Sequence, residues 1–381
     1  MRRLLALFSC LVPISAQTTW TVDAMNGPGS NFADLPSAIA ASAPGDVIQL
    51  RSYPPTVAIY QAAAVPHGLT IVGVGGRAAL QGRMDAIDLG PSEHLILRSL
   101  HTGPYPNVTG NGNGPTGTLF QLYVVNCASV HLQDLQHGEG FTNGLAFWMF
   151  TECDLVTLSG CSYRSASWWH SIRLRDCELV VMQNTTTAKL TPQTLAVRAT
   201  RTHLTLVDSH LFGMLNGPWG PGVHAIELND SKLDLIGASS VVGEPEATRT
   251  HGSNLFRIGP NANMGATGGT VVYEALTGMS AEIDGNQLLE IDVHGAANGI
   301  GILSFGTPTQ TPVPLWGATY FLSAPTVTVF ATTLLDGHGV GTWQTTLPAG
   351  VPTGTSLWLQ TAVLDGNGAF ALTTPAVVTT P

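Results

Sequence analysis

Leu122-Tyr123-Val124-Val125, Phe147-Trp148-Met149-Phe150, Ile172-Arg173-Leu174-Arg175 and Val197-Arg198-Ala199-Thr200 begin 25 residues apart, step after step. The ladder continues at longer steps through Ile226-Glu227-Leu228 and Phe256-Arg257-Ile258. A second ladder keeps pace with it: Leu69, Leu95, Val130, Val156, Val180, Leu204 and Leu233, each followed two residues on by another, mostly apolar, residue. Two strand-like runs per period, held over most of a chain, mark a coil repeat. One coil cannot bury its inner face alone, so coils must stack on one another. The pattern predicts an all-β solenoid whose activity, if any, sits on a long lateral face.

Composition supports this and excludes several functions. Only 10% of residues are charged against 44% hydrophobic, which argues against disorder. A formal charge of -10 leaves no basic patch of the kind nucleic acid needs. Arg2-Arg3, the apolar run Leu4 to Val12 and Ile14-Ser15-Ala16 read as a secretory signal over residues 1–16, with cleavage before Gln17. Leu7-Phe8-Ser9-Cys10 resembles a lipoprotein box, but the apolar stretch ahead of Cys10 is short, which favours cleavage after Ala16. No later run is long and apolar enough to span a membrane. The chain is expected to be exported, as a monomer, to the cell surface, the periplasm or the medium.

Behind the signal stand Cys127, Cys153, Cys161 and Cys177. Cys127, Cys153 and Cys177 each lie three residues ahead of a ladder valine, so they should stack in a column about 4.8 Å apart. That spacing suits a disulfide and equally suits a file of buried thiols. Zinc is disfavoured, because there is no Cys-x-x-Cys pair and no histidine at ligand spacing.

Residues 35–43 are Ala-rich, with Leu35 and Ile39 on one helical face, and Pro44-Gly45 stops the helix before the strand Asp46-Val47-Ile48-Gln49-Leu50. Such a helix would cover the open end of the stack. The phrase from Phe32 to Ile48, with Tyr53 and Gly68-Leu69-Thr70-Ile71-Val72-Gly73 after it, resembles the opening of right-handed parallel β-helix proteins of the pectin-lyase-like group. The resemblance covers roughly residues 30–295, so that fold is expected over 17–300, and it names no one activity, since the fold hosts many. Polygalacturonase-type hydrolases of this group carry Asp-Asp and Arg-x-Lys, and pectate-lyase types carry Arg-x-Pro-x-x-Arg; this chain has none of them. Its Gly337-His338-Gly339 reads as a turn.

From about Gly301 the character changes. Residues 301–381 hold no Lys or Arg, and their only acids are Asp336 and Asp365. Leu335-Asp336-Gly337-His338-Gly339 and Leu364-Asp365-Gly366-Asn367-Gly368 are matched turn signals between strand-like runs. A small antiparallel domain is expected there. Its stretch from Thr345 to Asp365 resembles the C-terminal β-sandwich module that closes many secreted bacterial proteins, which implies attachment, sorting or capping.

The outward position of the first ladder reads Tyr123, Trp148, Arg173, Arg198, Glu227, Arg257. Aromatic faces suit sugar rings and guanidinium forks suit uronate or sulfate, so the stripe predicts a groove for an acidic polysaccharide, widened by Trp168 and Trp169. Arg173, Arg198, His170 and Tyr123 would be the weak catalytic set of a polysaccharide lyase, which is expected ahead of a glycoside hydrolase if the chain is an enzyme at all. The competing reading is an outer face of good strand formers with cross-strand pairs such as Arg198 and Glu227. A second cluster stacks Glu152 over Asp176 and Asp154 over Glu178; it predicts either arginine pairing or a bound Ca²⁺. His94, His131, His203 and His224 read as surface residues. The loops 103–116, 213–222 and 244–253 interrupt the period and should flank the working face. The function expected is carbohydrate binding at a surface, with an acidic-glycan enzyme and a purely structural or adhesive protein as the other two readings.

Overall fold

The computed structural model describes residues 17–53, 58–102, 121–137, 147–165, 172–189, 195–213, 224–243, 247–265, 267, 270–315, 318–323, 326–348 and 350–380. The chain winds as a parallel β-solenoid of about eight turns built on three sheets of eleven, nine and seven strands. One turn shows the plan. Ile172–Arg175 lies in the seven-stranded sheet, Leu179–Gln183 in the eleven-stranded one and Thr186–Lys189 in the nine-stranded one. They are called here the open, covered and short sheets. The short sheet was not legible as a third ladder, because its strands, such as Gln136–His137 and His210–Phe212, are brief and rich in polar residues.

In every rung the inward positions carry the apolar residues that the periodicity marks. Val130, Val156, Val180, Leu204, Leu233 and Phe256 pair in register down the covered sheet. All are fully buried in one continuous core. Burying a Val, Leu or Phe side chain contributes about 1.5–3 kcal/mol, so the file of them holds each turn to the next.

The corners are two columns of left-handed residues. Between the open and covered sheets stand Asp88, Asn126, Glu152, Asp176, Arg201 and Asp230, with φ from 47° to 58°. Between the covered and short sheets stand Ser99, Asp134, Gly160, Asn184, Asp208 and Gly237, with φ from 47° to 64°. Asn, Asp and Gly tolerate this conformation best, which is why they recur at the bends. The residue after each bend points its N–H along the stack, where a side chain of the next turn often receives it. Thus Cys177 N donates to Thr202 Oγ1 (3.3 Å), Thr202 N to Ser231 Oγ (3.2 Å) and Ser231 N to Asn254 Oδ1 (2.9 Å). At the other corner Cys161 N donates to Thr185 Oγ1, Thr185 N to Ser209 Oγ and Ser209 N to Ser239 Oγ. The cysteines therefore occupy hydroxyl positions: Cys127, Cys153 and Cys177 in the first column, Cys161 in the second. All four are buried thiols.

The capping helix forms at Leu35–Ala41, with Asp34 Oδ1 accepting from Ser37 N and with Leu35, Ala38 and Ile39 turned to the core. No described helix is long and apolar enough to cross a membrane. The signal reading of residues 1–16 falls outside the described residues.

Pairing turns antiparallel at Gly278–Ile283 and Leu288–His294, ahead of the compositional change at 301, because these strands still carry the acids and apolar alternation of the preceding chain. Leu288–His294 pairs with Val340–Thr346, and Ile300–Gly306 lies between Thr328–Leu334 and Ser356–Leu364. The two matched turns are as expected. Asp336 Oδ1 accepts from His338 N and Val340 N, and Asp365 Oδ1 from Asn367 N and Ala369 N. Asp284 makes a third such turn, accepting from Asn286 N and Leu288 N.

This antiparallel region lies on the outer face of the covered sheet. Leu155, Leu179, Val181, Val207 and Ile236 pack there against Leu276, Phe321, Leu322, Trp358 and Val377. Gln133 Nε2 donates to Val377 O (2.7 Å) and Gln183 Nε2 to Met279 O (2.7 Å), and Trp358 sits against both His94 and His131. His131 is thus fully buried and His94 half-buried, where the sequence suggested surface histidines. Gly237 is required at this joint: a Cβ there would stand 2.2 Å from Asp208 Oδ1, whose partner oxygen takes the bond from His294 Nε2 (2.6 Å).

Candidate functional site

The open sheet carries the stripe, with two changes to its membership. Register places Tyr123, Met149, Arg173, Arg198, Glu227 and Arg249 in one cross-strand row. Trp148 is not in it. It pairs with Leu122 and Ile172, is fully buried, and stacks edge-on against Tyr163. Phe147-Trp148-Met149-Phe150 has no polar residue to fix its phase, and a slip of one residue turns a strand inside out. Arg257 is also elsewhere. Leu255–Ile258 belongs to the covered sheet, and the polar strand Thr248–His251 takes the next place in the open one. Trp168, Trp169 and His170 lie outside the described residues, as do the loop 103–116 and all of 213–222 but Gly213; within 244–253, residues 248–251 form a strand where a loop was expected.

Along the row, charges and rings alternate. The Arg83 guanidinium lies over the Tyr123 ring, 3.9 Å from its centroid, and also donates to Asp85 (2.7 Å). Tyr123 meets Phe147 edge-on at 4.8 Å. Arg173 follows, 5.8 Å from the Phe147 centroid. Its cross-strand neighbour Arg198 pairs with Glu227 (2.8 Å), as the structural reading expects, and Arg249 approaches the other Glu227 oxygen at 4.0 Å. Among the described residues Arg173 has no carboxylate partner, and its Nε is buried without an acceptor. Burial and then the charge of Arg198 hold its pKa below the usual guanidinium value. Two arginines stand side by side with one compensating acid for them. Such a place favours an anion.

The acidic cluster resolves toward arginine pairing. Asp176 accepts from Arg201 Nε and Nη2 (2.5 and 2.7 Å) and from Arg175 Nε (3.1 Å), and these guanidinium groups hold its carboxyl below the ordinary range. Glu152 and Asp154 stand one turn away in the expected register. Among the described residues no group of three or more His, Cys, Asp or Glu is placed to hold a metal ion, and of Glu152, Asp154, Asp176 and Glu178 it is Asp176 that carries the arginine pairing. The bidentate Arg201 supplies the positive charge that a cation would have brought.

A charged cluster that the strand pattern did not single out lies near the end of the stack, on the outward side of the covered sheet. Asp234, only 3% exposed, accepts from His203 Nε2 (2.6 Å), from both Arg257 Nε (2.7 Å) and Nη2, and has Lys232 Nζ at 3.4 Å. Arg257 continues to Glu274 (3.2 Å). Burial alone would raise the Asp234 carboxyl, but the bonds from His203 and Arg257 outweigh it and keep the group ionised well below the carboxylate range. The signal was present in the sequence. Outward positions that are Leu155 and Thr157, then Leu179 and Val181, in the two rungs before become charged or ring-bearing at His203, Lys232, Asp234 and Arg257.

No protein-family profile matches this chain, and no curated protein matches it. Among solved structures it is similar to the full-length tailspike protein 2 of Escherichia coli O157:H7 bacteriophage CAB120, with 10% sequence identity over 94% of this chain and 68% of that one, at a TM-score of 0.30.

Proposed function

We propose that this solenoid binds an acidic polysaccharide along the open sheet, and that it works outside the cytoplasm at a surface. The observation that carries the reading is Arg173: a half-buried cation beside a second arginine, with one buried Nε lacking an acceptor and no acid of its own. A bound uronate or sulfate supplies the missing charge, and the fork of Arg173 can take it bidentately. Phe147 and Tyr123 give an apolar flank for a sugar ring, although Arg83 already covers one face of Tyr123. The Arg198–Glu227 pair holds its own charges and orients the row; it favours binding over proton transfer at this position.

Retention on an immobilised polyuronate or sulfated glycan tests the proposal. Arg173→Ala should lower the affinity tenfold or more, whereas Arg249→Ala should change it less than threefold. Equal retention of the wild type and Arg173→Ala would refute the groove. Release of an unsaturated product, followed by its absorbance, would replace binding by lyase chemistry.

A further inference from the structure

The corner between the open and covered sheets opens, over the last turns, into a cleft of about 1010 Å³. Glu178, Arg201, His203, Asp230, Lys232 and Ser253 line it. We propose that this cleft is a second, separate binding site, and that it takes the hydroxyl-rich face of a neutral saccharide unit.

The walls carry donors and acceptors in balance, unlike the cation-rich open sheet. Among the described residues the Glu178 side chain has no ion pair and no hydrogen bond. Asp230 spends Oδ1 on Ser253 N (2.9 Å), and its other oxygen is left over. Lys232 Nζ has three donors, and among the described residues its ion-pair partner is Asp234 at 3.4 Å. His203 Nε2 bonds Asp234 (2.6 Å), which fixes the ring against the wall. A sugar hydroxyl both donates and accepts, so neighbouring hydroxyls can bridge a carboxylate and an ammonium where a purely anionic ligand would be repelled by Glu178 and Asp230.

Beneath this surface the groups are held in place. Asp234 is buried and grips His203, Lys232 and Arg257 together, so the cleft wall is organised before any ligand arrives. Gly252 makes room on the other side: a Cβ there would lie 2.0 Å from Asp230 Oδ1. The turn therefore needs glycine both for its φ of 70° and for the carboxylate that leans across it.

The chain's composition supplies a direct probe, because Lys189 and Lys232 are its only lysines. Acylation with a lysine-selective reagent, read peptide by peptide by mass spectrometry, reports each amine separately. The full chain is labelled alone and with millimolar neutral hexoses, N-acetylhexosamines and their short oligomers, and with galacturonate as the anionic comparison. The expected result is that at least one neutral sugar slows Lys232 labelling several-fold while Lys189 is unaffected, and that Glu178→Gln or Asp230→Asn abolishes the protection. Failure of every neutral sugar to protect Lys232 would overturn the proposal, as would protection by galacturonate alone or protection that survives both substitutions. Arg173→Ala should leave the protection intact, so this outcome is independent of the open-sheet groove.

Discussion

The open and covered sheets are built by the same turns and the same inward residues, yet their outer faces have opposite fates. On the covered sheet the outward face offers Leu155, Val181 and Val207, and the antiparallel region closes over it. On the open sheet the corresponding row offers Tyr123, Arg173, Arg198 and Arg249, all exposed or half-buried. The inward half of each strand decides that a solenoid forms. The outward half decides what, if anything, lies against it.

The largest expected effect tests the inward half. Trp148→Ala removes a fully buried side chain from the open-sheet strand and should cost about 3–5 kcal/mol in urea unfolding. If Trp148 faced solvent as part of the stripe, the cost would be below about 0.5 kcal/mol and glycan retention would fall instead.

Acid tests the covered face. Burial pushes the His94 ring down to about 4, against the weaker pull of Glu93, and pushes His131 well below its usual value, with His94 adding to the shift. Both rings are neutral in the folded chain, whereas unfolded histidine takes up a proton near pH 6.5. Their contribution is complete above pH 6.5 and is lost as pH falls toward 4; His94 alone accounts for about 3 kcal/mol. Asp208, held below the ordinary range by His294 despite its burial, loses its contribution only at lower pH. The fluorescence change as Trp358 leaves its histidines should therefore rise between pH 6.5 and 4. His94→Gln together with His131→Gln should flatten that rise. A profile flat in the wild type would mean that these rings are not buried as described.

The smallest effect concerns the corners. Glu152 holds a left-handed bend at φ 55° with a side chain poorly suited to it. Glu152→Gly should raise the stability by about 1 kcal/mol, while the same change at Asp234 should lower it by several, since Lys232 and Arg257 lose their anion. Equal effects at the two positions would contradict the contrast between a bend and a buried cluster.

Much of this was legible in the sequence, and the failures have physical causes. Apolar residues two apart, repeated every turn, fixed the inward faces, the cap and the order of the covered sheet. The column of Cys127, Cys153 and Cys177 was correct, because the bend before it keeps one length in every turn. Trp148 was misplaced because four apolar residues in a row carry no phase. Arg257 was misplaced because Thr248–His251 fills its rung with polar residues, Thr248 being wholly buried all the same. The cleft at the corner was hidden for another reason: its members come from four turns, at the bend and at the start of the covered-sheet strands, and no spacing along the chain joins Glu178 to Lys232.

The corner ladders have a direction. From Cys177 onward each bend passes its N–H forward to a hydroxyl or amide of the following turn, and Thr202 and Ser231 each receive one from behind through their own side chains. A whole turn ending in Thr or Ser, copied and spliced in between Cys177 and Thr202, would meet a donor below and an acceptor above with nothing left stranded. Such a molecule is able to lengthen by duplication, rung by rung, and to gain working surface without redesigning its ends.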